Sequence, residues 1–371
     1  MPRYSMIRDY PDDERVRTLD RLKDLRASLD ASVVAAKPDS LLLATWNVRD
    51  FDSNKFGQGP RLRESFHYLA EIISRFDLVA IQEVNRDLAP LRRLLSLLGG
   101  DWDSLVTGVT EGDSGNSERM AFVFNRKRVR FTGLAGQVVL PRTQLVTGGQ
   151  SGDGGLQFAR APYQASFQAG WFKFNLATVH IFFGGESGDP LARRVAEIAR
   201  IARHFRDLQK KENAIPGQAA DYILLGDFNI VSPEHQTMQA LKKNGFVVPD
   251  ALQGFTTNLG RNKYYDQIAF RPHDQRLELG RAGVFDFRDA VFGERDYDAY
   301  HDLMPSGPRD IHQKGRKKGQ PRSEAEKQAY YNQEWITWQK SDHLLLWVEL
   351  QVDFTEDYLE SLRPGRTPLA G

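Results

Sequence analysis

The sequence predicts a mixed-sheet α/β sandwich, and three observations support this fold class. Apolar runs of strand length outnumber amphipathic helical segments along the 371 residues. Many of these runs follow one another after short connections, as the strands of hairpins do. Others are separated by helices, so the alternation is irregular. This pattern favours two mixed sheets over the purely parallel sheet of a doubly wound fold.

The first half of the chain begins with a charged helix and continues as strands and helices. In residues 11–30, apolar positions recur at three-residue steps and acidic residues cluster at the start, which predicts a helix packed on the domain surface. We take residues 1–38 as a helical extension. Further helices are predicted at residues 62–76 and 89–100, and strands at residues 40–48, 77–84, 119–125, 128–140, 163–169 and 171–181.

The second half contains one long helix and the remaining strands. The helix is predicted at residues 190–212, and the strands at residues 221–230, 263–270, 277–287 and 341–352. In the strand "DYILLGDFNI", Gly226 is expected to let the chain turn at the sheet edge. The glycine-rich residues 147–155 predict a flexible loop.

One long polar segment interrupts this pattern near the end of the chain. Residues 293–340 lack a core pattern until a predicted helix at residues 323–340, and they precede the last strand. They are therefore expected to be an insertion in a single catalytic domain of residues 39–355, followed by a C-terminal tail at residues 356–371. Because the insertion ends directly before Ser341, it is predicted to border the functional site, with a lid or substrate-selecting role.

Composition excludes several classes of function. The 50 basic and 49 acidic residues give a formal charge of +1, so an anionic partner has to be held by local patches or by metal. Cysteine is absent, which excludes disulfides, thiolate metal sites and a cysteine nucleophile. No apolar run suits a signal peptide or a membrane span. A cytoplasmic protein without a membrane partner is the expectation.

Polar side chains stand where the apolar strands begin or end. One such residue alone is as easily a turn or a cap as a functional group. Several of them at one edge would form a pocket of oxygen ligands and imidazoles, which suits Mg²⁺ or Mn²⁺ rather than a soft metal. The residues concerned are Asn47, Glu83, His180, Asp227, Asn229, Asp266, Asp342 and His343.

The ordered set of short motifs around these positions resembles the endonuclease/exonuclease/phosphatase superfamily, and within it the deoxyribonuclease-like branch. The motifs are "TWNV", "IQEV", "SERMAFVFN", "RAPYQASF", "ATVHI", "GDFN", "YDQIAF" and "SDHLLLWV", running from about Leu41 to Val352. Each is weak alone, whereas the ordered set is specific. The resemblance implies a four-layer sandwich, two facing mixed β-sheets flanked by helices, with the active site at one end.

The resemblance also implies a role for each matching residue. Glu83, Asn47 and Asp342 would bind the metal, which would be Mg²⁺ or Mn²⁺, with Ca²⁺ as a possible structural or supporting ion. His343 would be the general base, oriented by Asp266. Asp227 and Asn229 would surround the scissile phosphate, and His180 would contact the phosphate or the leaving oxygen. Glu118 would be the acid that partners His180, and Arg160 would contact phosphate.

Members of this family cleave nucleic acid, inositol phosphates or sphingomyelin, and the motifs favour nucleic acid. "RAPYQASF" and "SERMAFVFN" are similar to the deoxyribonuclease branch, and the cysteine-containing signature of the inositol 5-phosphatases is missing. The predicted function is a divalent-metal-dependent DNA endonuclease, with DNA as the partner. The alternative is a phosphomonoesterase or a phospholipid or sphingomyelin phosphodiesterase.

The sequence leaves open the role of two basic runs and of one group of aromatic residues. Residues 125–131 and 314–322 could bind the nucleic-acid backbone or could be solvated surface. The aromatic residues of the inserted helix could stack on bases, but their spacing favours packing in a core. They are Tyr330, Tyr331, Trp335 and Trp338.

Overall fold

The computed structural model describes residues 1–53, 57–110, 116–146, 155–215, 217–273 and 277–363. The predicted loop at residues 147–155 lies outside this part of the chain except for Gly155, and so does the tail from residue 364 onwards. Within the part described, no helix combines the length and the apolar character that crossing a membrane requires.

Eleven strands are present among the described residues. They are β1 Ser40–Phe51, β2 Leu78–Val84, β3 Trp102–Val106, β4 Arg119–Asn125, β5 Arg130–Gln137, β6 Tyr163–Ala169, β7 Phe172–His180, β8 Asp221–Asp227, β9 Asp266–Arg271, β10 Leu279–Phe285 and β11 Leu345–Gln351.

The α-helices range from one turn to seven. They are α1 Asp12–Ser32, α2 Arg63–Ile73, α3 Ala89–Leu98, α4 Gly188–Asn213, α5 Gln236–Lys242, α6 Tyr297–Tyr300, α7 Ser306–Asp310, α8 Glu324–Tyr330, α9 Ile336–Gln339 and α10 Thr355–Ser361. A π-helical turn, Tyr331–Trp335, joins α8 to α9.

The described strands form two mixed sheets. The six-stranded sheet has the order β10-β11-β1-β2-β4-β3, and the five-stranded sheet has the order β5-β6-β7-β8-β9. Each sheet contains one parallel pair, β1 with β2 and β7 with β8, and its other neighbours are antiparallel. The predicted mixed-sheet sandwich is confirmed.

The two sheets face each other, and helices cover both outer faces. On β1, Leu41 and Leu43 lie in the core between the sheets, whereas Leu42 and Trp46 point to the helices on the other side. This alternation follows from the two-residue period of a strand. Helices α1 to α3 and the inserted aromatic residues cover the six-stranded sheet, and α4 and α5 cover the five-stranded sheet. The result is four layers.

The inserted aromatic side chains pack, as the spacing favoured. Tyr330, Tyr331 and Trp335 are buried in the same cluster as Trp46 on the outer side of the six-stranded sheet. Trp338 is also buried, and its ring contacts the guanidinium of Arg49 at 4.3 Å.

Three local predictions were wrong or incomplete. Strand β3 was not predicted, because "DWDSLV" shows little apolar alternation and is paired only with β4, at a sheet edge. Helix α5 was also missed. Gly226 does not make a turn: it lies inside β8 with φ +128°, and a Cβ atom there would lie 2.2 Å from the carbonyl oxygen of Val179. Glycine is required by the close approach of β7.

Candidate active site

The strand directions bring the polar strand ends together. The two parallel pairs end at one edge of the sandwich, and the antiparallel neighbours β4, β9 and β11 begin at that edge. Residues near the ends of the parallel strands therefore converge with residues at the starts of the antiparallel ones. These are Asn47 on β1, Glu83 on β2, His180 on β7, Asp227 on β8, Asp266 on β9, Glu118 before β4, and Asp342 and His343 before β11.

Three of these side chains lie in one row across the five-stranded sheet. His180 is the register partner of Asp227, and Asp227 is the register partner of Asp266. Directly paired residues project from the same face of a sheet, with Cβ atoms about 5 Å apart. The row faces the six-stranded sheet, which supplies Asn47, Glu83 and His343.

His343 is held by a buried carboxylate. Its Nδ1 lies 2.7 Å from Oδ2 of Asp266, which leaves Nε2 as the nitrogen that faces Asp227, 3.7 Å from its Oδ2. The backbone N–H of His343 donates to Oγ of Ser341, whose hydroxyl donates to the carbonyl of Asn47. Burial alone would lower the pKa of His343, but the negative charges of Asp266 and Asp227 outweigh it and raise that pKa well above its usual value.

His180 is paired with a different acid. Its Nδ1 lies 3.1 Å from Oε2 of Glu118, and its Nε2 lies 3.6 Å from Oδ2 of Asp227. Arg160 donates to both oxygens of Glu118, at 2.6 and 3.3 Å. Burial opposes ionisation of Glu118, but the positive charges of His180 and Arg160 prevail and lower its pKa to about 2. Glu118 is therefore a fixed negative charge behind His180.

Asp227 is the centre of the arrangement. Its Oδ2 accepts from Nδ2 of Asn47 at 3.1 Å and is the oxygen near both histidines, while its Oδ1 accepts from the backbone N–H of Asn229 at 2.9 Å. Asn229 has φ +53° and donates its side-chain amide to the carbonyl of Ile181. Phe228 between them is fully buried. Burial opposes ionisation of Asp227, but the positive charges of His343 and His180 prevail and lower its pKa.

The side chains of Asn47 and Glu83 have the chemistry of a hard-cation site. Oδ1 of Asn47 is buried and has no hydrogen-bond partner among the described residues, which is costly unless a cation or solvent satisfies it. Glu83 lies beside it, accepting from Nδ2 of Asn47 and from the backbone N–H of Asp50, both at 2.9 Å. Burial, together with the charges of Glu118 and Asp342, raises the pKa of Glu83. A divalent cation would relieve both conditions.

A second group of potential ligand atoms lies deeper. One atom from each of Asp227, Asp266 and His343 falls within 4.8 Å of the others, and all three residues are buried. The hydrogen bond between His343 and Asp266 already occupies one imidazole nitrogen and one carboxylate oxygen. This group is therefore better suited to holding and moving a proton than to binding an ion.

A cleft of about 390 Å³ opens over these residues. Besides Glu83, Glu118, Arg160, His180, Asp227, Asn229, Asp342 and His343, its lining comprises Arg49, Asp50, Asn116, Phe183 and Tyr265. Asn47 and Asp266 lie beneath this surface, in contact with residues that form it. All ten residues that the sequence singled out are thus at one site.

The sequence missed several residues of the cleft. Arg49 directly follows the motif "TWNV" and Tyr265 is the first residue of "YDQIAF", so the signal was their position beside a strand end. Phe183 lies three residues after His180, in a segment with no pattern of its own. The basic residues 125–131 follow the far end of β4 from Glu118, and Lys127 and Arg128 pair there with Asp101 and Asp77. They are outside the cleft.

Residues 44–299, well over half of the chain, match the Endonuclease/Exonuclease/phosphatase family. The chain belongs to this family. The resemblance found in the sequence motifs is confirmed, and so is its fold. Members of the family hydrolyse phosphoester bonds and depend on a divalent metal. This chain is accordingly a phosphoester hydrolase whose acidic and histidine residues converge in the cleft.

Individual relatives also align with most of this chain. Bovine deoxyribonuclease-1 is 26% identical over 264 residues, which is 68% of this chain and 85% of that protein. The solved catalytic domain of human nocturnin, with bound sulfate, has a TM-score of 0.52 at 14% identity over 86% of this chain and 97% of its own. A mannosyl-6-phosphatase of Bacteroides thetaiotaomicron has a TM-score of 0.51 at 18% identity over 84% of this chain and 99% of its own. Both structures show the shared fold.

Proposed function

We propose that this protein is a divalent-metal-dependent phosphodiesterase that cuts DNA as an endonuclease, through attack by a water molecule that His343 deprotonates. The observation that carries the proposal is the symmetry around Asp227. Two imidazole Nε2 atoms lie 3.6 and 3.7 Å from the same carboxylate oxygen, and each ring is backed by its own acid. Hydrolysis of a phosphodiester needs one group to remove a proton from water and another near the leaving oxygen.

His343 is the proposed general base. In its neutral form, Nδ1–H donates to Asp266 and Nε2 is free to accept a proton from water. When the proton is transferred, Asp266 stabilises the imidazolium that forms. Asp227, beside Nε2, is proposed to hold the attacking water by accepting a hydrogen bond from it.

His180, Asn229 and Arg160 are the proposed phosphate contacts. His180 carries a proton more readily because burial and Arg160, which lower its pKa, are outweighed by Glu118 and Asp227, so its pKa is raised. Nε2–H of His180 can therefore donate to a phosphoryl or leaving oxygen. Arg160 lines the same cleft while it holds Glu118.

Glu83, Asn47 and Asp342 are the proposed metal ligands. Their donor atoms are all oxygens, which favours Mg²⁺ or Mn²⁺. When bound, such a cation would neutralise developing charge on the phosphoryl oxygens. Asp342 is the most exposed of the three, with 43% of its side chain accessible, and Arg49 Nε lies 3.7 Å from its Oδ2.

DNA is proposed as the substrate because bovine deoxyribonuclease-1 is similar in sequence to this chain and because two guanidinium groups, those of Arg49 and Arg160, line the cleft. The catalytic domain is proposed to comprise residues 39–355. The inserted segment 293–340 is proposed to border the cleft, because Trp338 packs on Arg49.

The first test is cleavage of covalently closed plasmid DNA. An endonuclease converts supercoiled circles to nicked circles, whereas an enzyme that trims ends leaves them intact. We expect nicking in Mg²⁺ or Mn²⁺ and none in EDTA. His343→Gln should lower the rate by about 10²–10⁴-fold, the usual contribution of a general base. His204→Gln, on α4 against Phe205, is the matched control and should stay within twofold of the unaltered protein.

Inositol phosphates and sphingomyelin analogues are assayed under the same conditions. Hydrolysis of one of these, with no nicking of DNA, would replace the nuclease proposal by the alternative substrate class. Full activity in EDTA or in His343→Gln would contradict the mechanism.

A further inference from the structure

Phe183 is an aromatic side chain exposed inside a polar cleft. It lies in the loop that follows β7, three residues after His180, and its side chain is 44% exposed. Phe183 and Tyr265 are the two aromatic residues among the described residues that line the cleft. Single exposed apolar side chains are common on protein surfaces, but one that lines a cleft is placed to contact whatever binds there.

The ring is held in place by a fully buried arginine. Arg194 on α4 donates to the backbone carbonyls of Phe183 and Gly185, and its guanidinium lies 4.7 Å from the centroid of the Phe183 ring. The same guanidinium donates to the carbonyl of Asn229 at 3.0 Å. One buried cation therefore fixes the loop relative to a proposed phosphate contact.

The turn that follows Phe183 is closely packed. Gly184 has φ +61°, and a Cβ atom there would lie 2.2 Å from the ring of Phe182. On the cleft side, Phe183 meets Tyr265 edge to face at 6.3 Å, and the Tyr265 ring lies 5.7 Å from that of His343. A short aromatic row thus leads from the cleft rim to the proposed general base.

We propose that Phe183 is a stacking subsite for the nucleobase next to the scissile phosphate; this rests on the proposed function. A flat apolar ring whose back is held by a guanidinium offers its free face to another flat ring, and base stacking on such a side chain is insensitive to base identity. A paired base in a duplex has both faces covered. The subsite therefore favours a nucleotide that is unpaired at the moment of cleavage, as in a single strand or where a supercoiled duplex opens locally.

The test uses short single-stranded DNA with one cleavable phosphodiester. The flanking bases are both present, or one of them is replaced by an abasic spacer on the 5′ or the 3′ side. Phe183→Ala should raise KM about tenfold with bases present and change kcat less than twofold. Tenfold corresponds to about 1.4 kcal/mol. On the substrate whose stacked base is missing, the variant and the unaltered protein should differ less than twofold.

Two variants separate stacking from structure. Phe183→Trp keeps an aromatic face and should retain a low KM. Trp171→Ala removes an aromatic residue of the same 44% exposure at the opposite end of β7, and should leave KM unchanged. An equal rise of KM on base-containing and abasic substrates in Phe183→Ala would overturn the subsite, and so would no rise at all.

A binding measurement keeps this proposal distinct from the proposed function. The protein carries His343→Gln, and the single-stranded DNA carries 2-aminopurine beside the phosphate. The fluorescence of 2-aminopurine should be quenched when this DNA binds, and Phe183→Ala should remove the quenching. If His343→Gln quenched the fluorescence but the unaltered protein did not cleave DNA, the nuclease function would be overturned and the subsite retained. Cleavage with unchanged quenching in Phe183→Ala would overturn the subsite and retain the nuclease function.

Discussion

The two histidines of the cleft differ in how their acids are held. Asp266 is fully buried, its Oδ2 is hydrogen-bonded to Nδ1 of His343, and its backbone N–H donates to Oγ1 of Thr257. Glu118 is shared between His180 and Arg160, so its charge is compensated twice. His343 therefore depends on one carboxylate for its orientation, whereas His180 belongs to a chain of three charged groups.

Asp266→Asn tests the role of the acid behind His343. The amide can occupy the same space but no longer stabilises the imidazolium or fixes Nδ1 as the protonated nitrogen. We expect kcat to fall about 10²-fold or more and KM to change less than threefold, measured on a single-site oligonucleotide in Mg²⁺.

A second Asp–His pair at the far end of the same sheet is the matched control. Asp221 begins β8, and its Oδ1 lies 3.7 Å from Nδ1 of His273. Asp221→Asn should leave kcat within twofold. If both variants lost activity equally, the loss would reflect damage to the sheet and not the orientation of His343.

Among individual residues, those at the ends of apolar strands could be predicted from the sequence. The buried residues that hydrogen-bond to the loops beside them could not. Asn47 and His180 interrupt apolar runs, so the sequence marks them. Arg194 and Glu197 lie on a long charged helix, where alternate charges usually face solvent. Both are buried, because the loops after β7 and β8 and the segment before β6 bring backbone groups to them. Their function depends on tertiary contacts that no local pattern carries.

Among the elements, helix α4 connects the loops around the cleft. Arg194 holds the loop after β7 and the carbonyl of Asn229. One turn later, Glu197 accepts from the backbone N–H of Ala159 at 2.9 Å and of Phe182 at 3.4 Å. Ala159 precedes Arg160, and Phe182 follows the segment that carries His180. The helix thus fixes both segments from behind.

Glu197 on this helix makes the stability of the protein depend on pH. Burial raises the pKa of Glu197 to about 7, and the bonds from Ala159 and Phe182 oppose that rise only in part. As the pH rises, Glu197 therefore loses its proton at a lower pH in the unfolded state, where its pKa has the usual value of 4.5, than in the folded state. The resulting stability is present below pH 4.5 and is lost as the pH rises through 7.

The prediction is a comparison of the unaltered protein with Glu197→Gln. A rise from 4.5 to about 7 corresponds to about 3 kcal/mol at about 1.4 kcal/mol per pKa unit. The free energy of unfolding of the unaltered protein, relative to the variant, should fall by about that amount between pH 4.5 and 8. Urea unfolding at several pH values measures it, and a pH-independent difference would contradict the burial of an ionisable Glu197.

Elements with strong periodicity were predicted close to their observed bounds, and weak ones were not. The helix predicted at residues 190–212 is α4, Gly188–Asn213, and the first helix predicted at residues 11–30 is α1, Asp12–Ser32. The edge strand β3 and the short helix α5 lack that signal. The role of Gly226 also escaped prediction, because the close approach of β7 is a property of the sheet and not of the local sequence.

Across the whole molecule, α1 connects the N-terminal extension to the inserted segment. Arg17 donates to both oxygens of Glu64 on α2, and its guanidinium lies 5.2 Å from the ring of Tyr300. Arg21 pairs with the buried Asp296 at 2.8 Å. Residues nearly 280 positions apart thus share one charged contact region behind the six-stranded sheet. The sequence predicted the helix but could not predict its partners.

Arg17→Ala tests whether the extension is part of the fold. Glu64 is completely buried, so removal of Arg17 leaves a carboxylate with its charge uncompensated, which costs about 3–5 kcal/mol. Urea unfolding should show a loss of about this size, whereas Lys23→Ala, which breaks a pair between exposed side chains on the same helix, should cost less than about 1 kcal/mol. The double variant Arg17→Met, Glu64→Met removes both charges and should recover most of the loss, because apolar side chains of similar length can fill the space. If Arg17→Ala were no less stable than Lys23→Ala, the pair between Arg17 and Glu64 would contribute nothing to stability, and α1 would be held by its buried leucines alone.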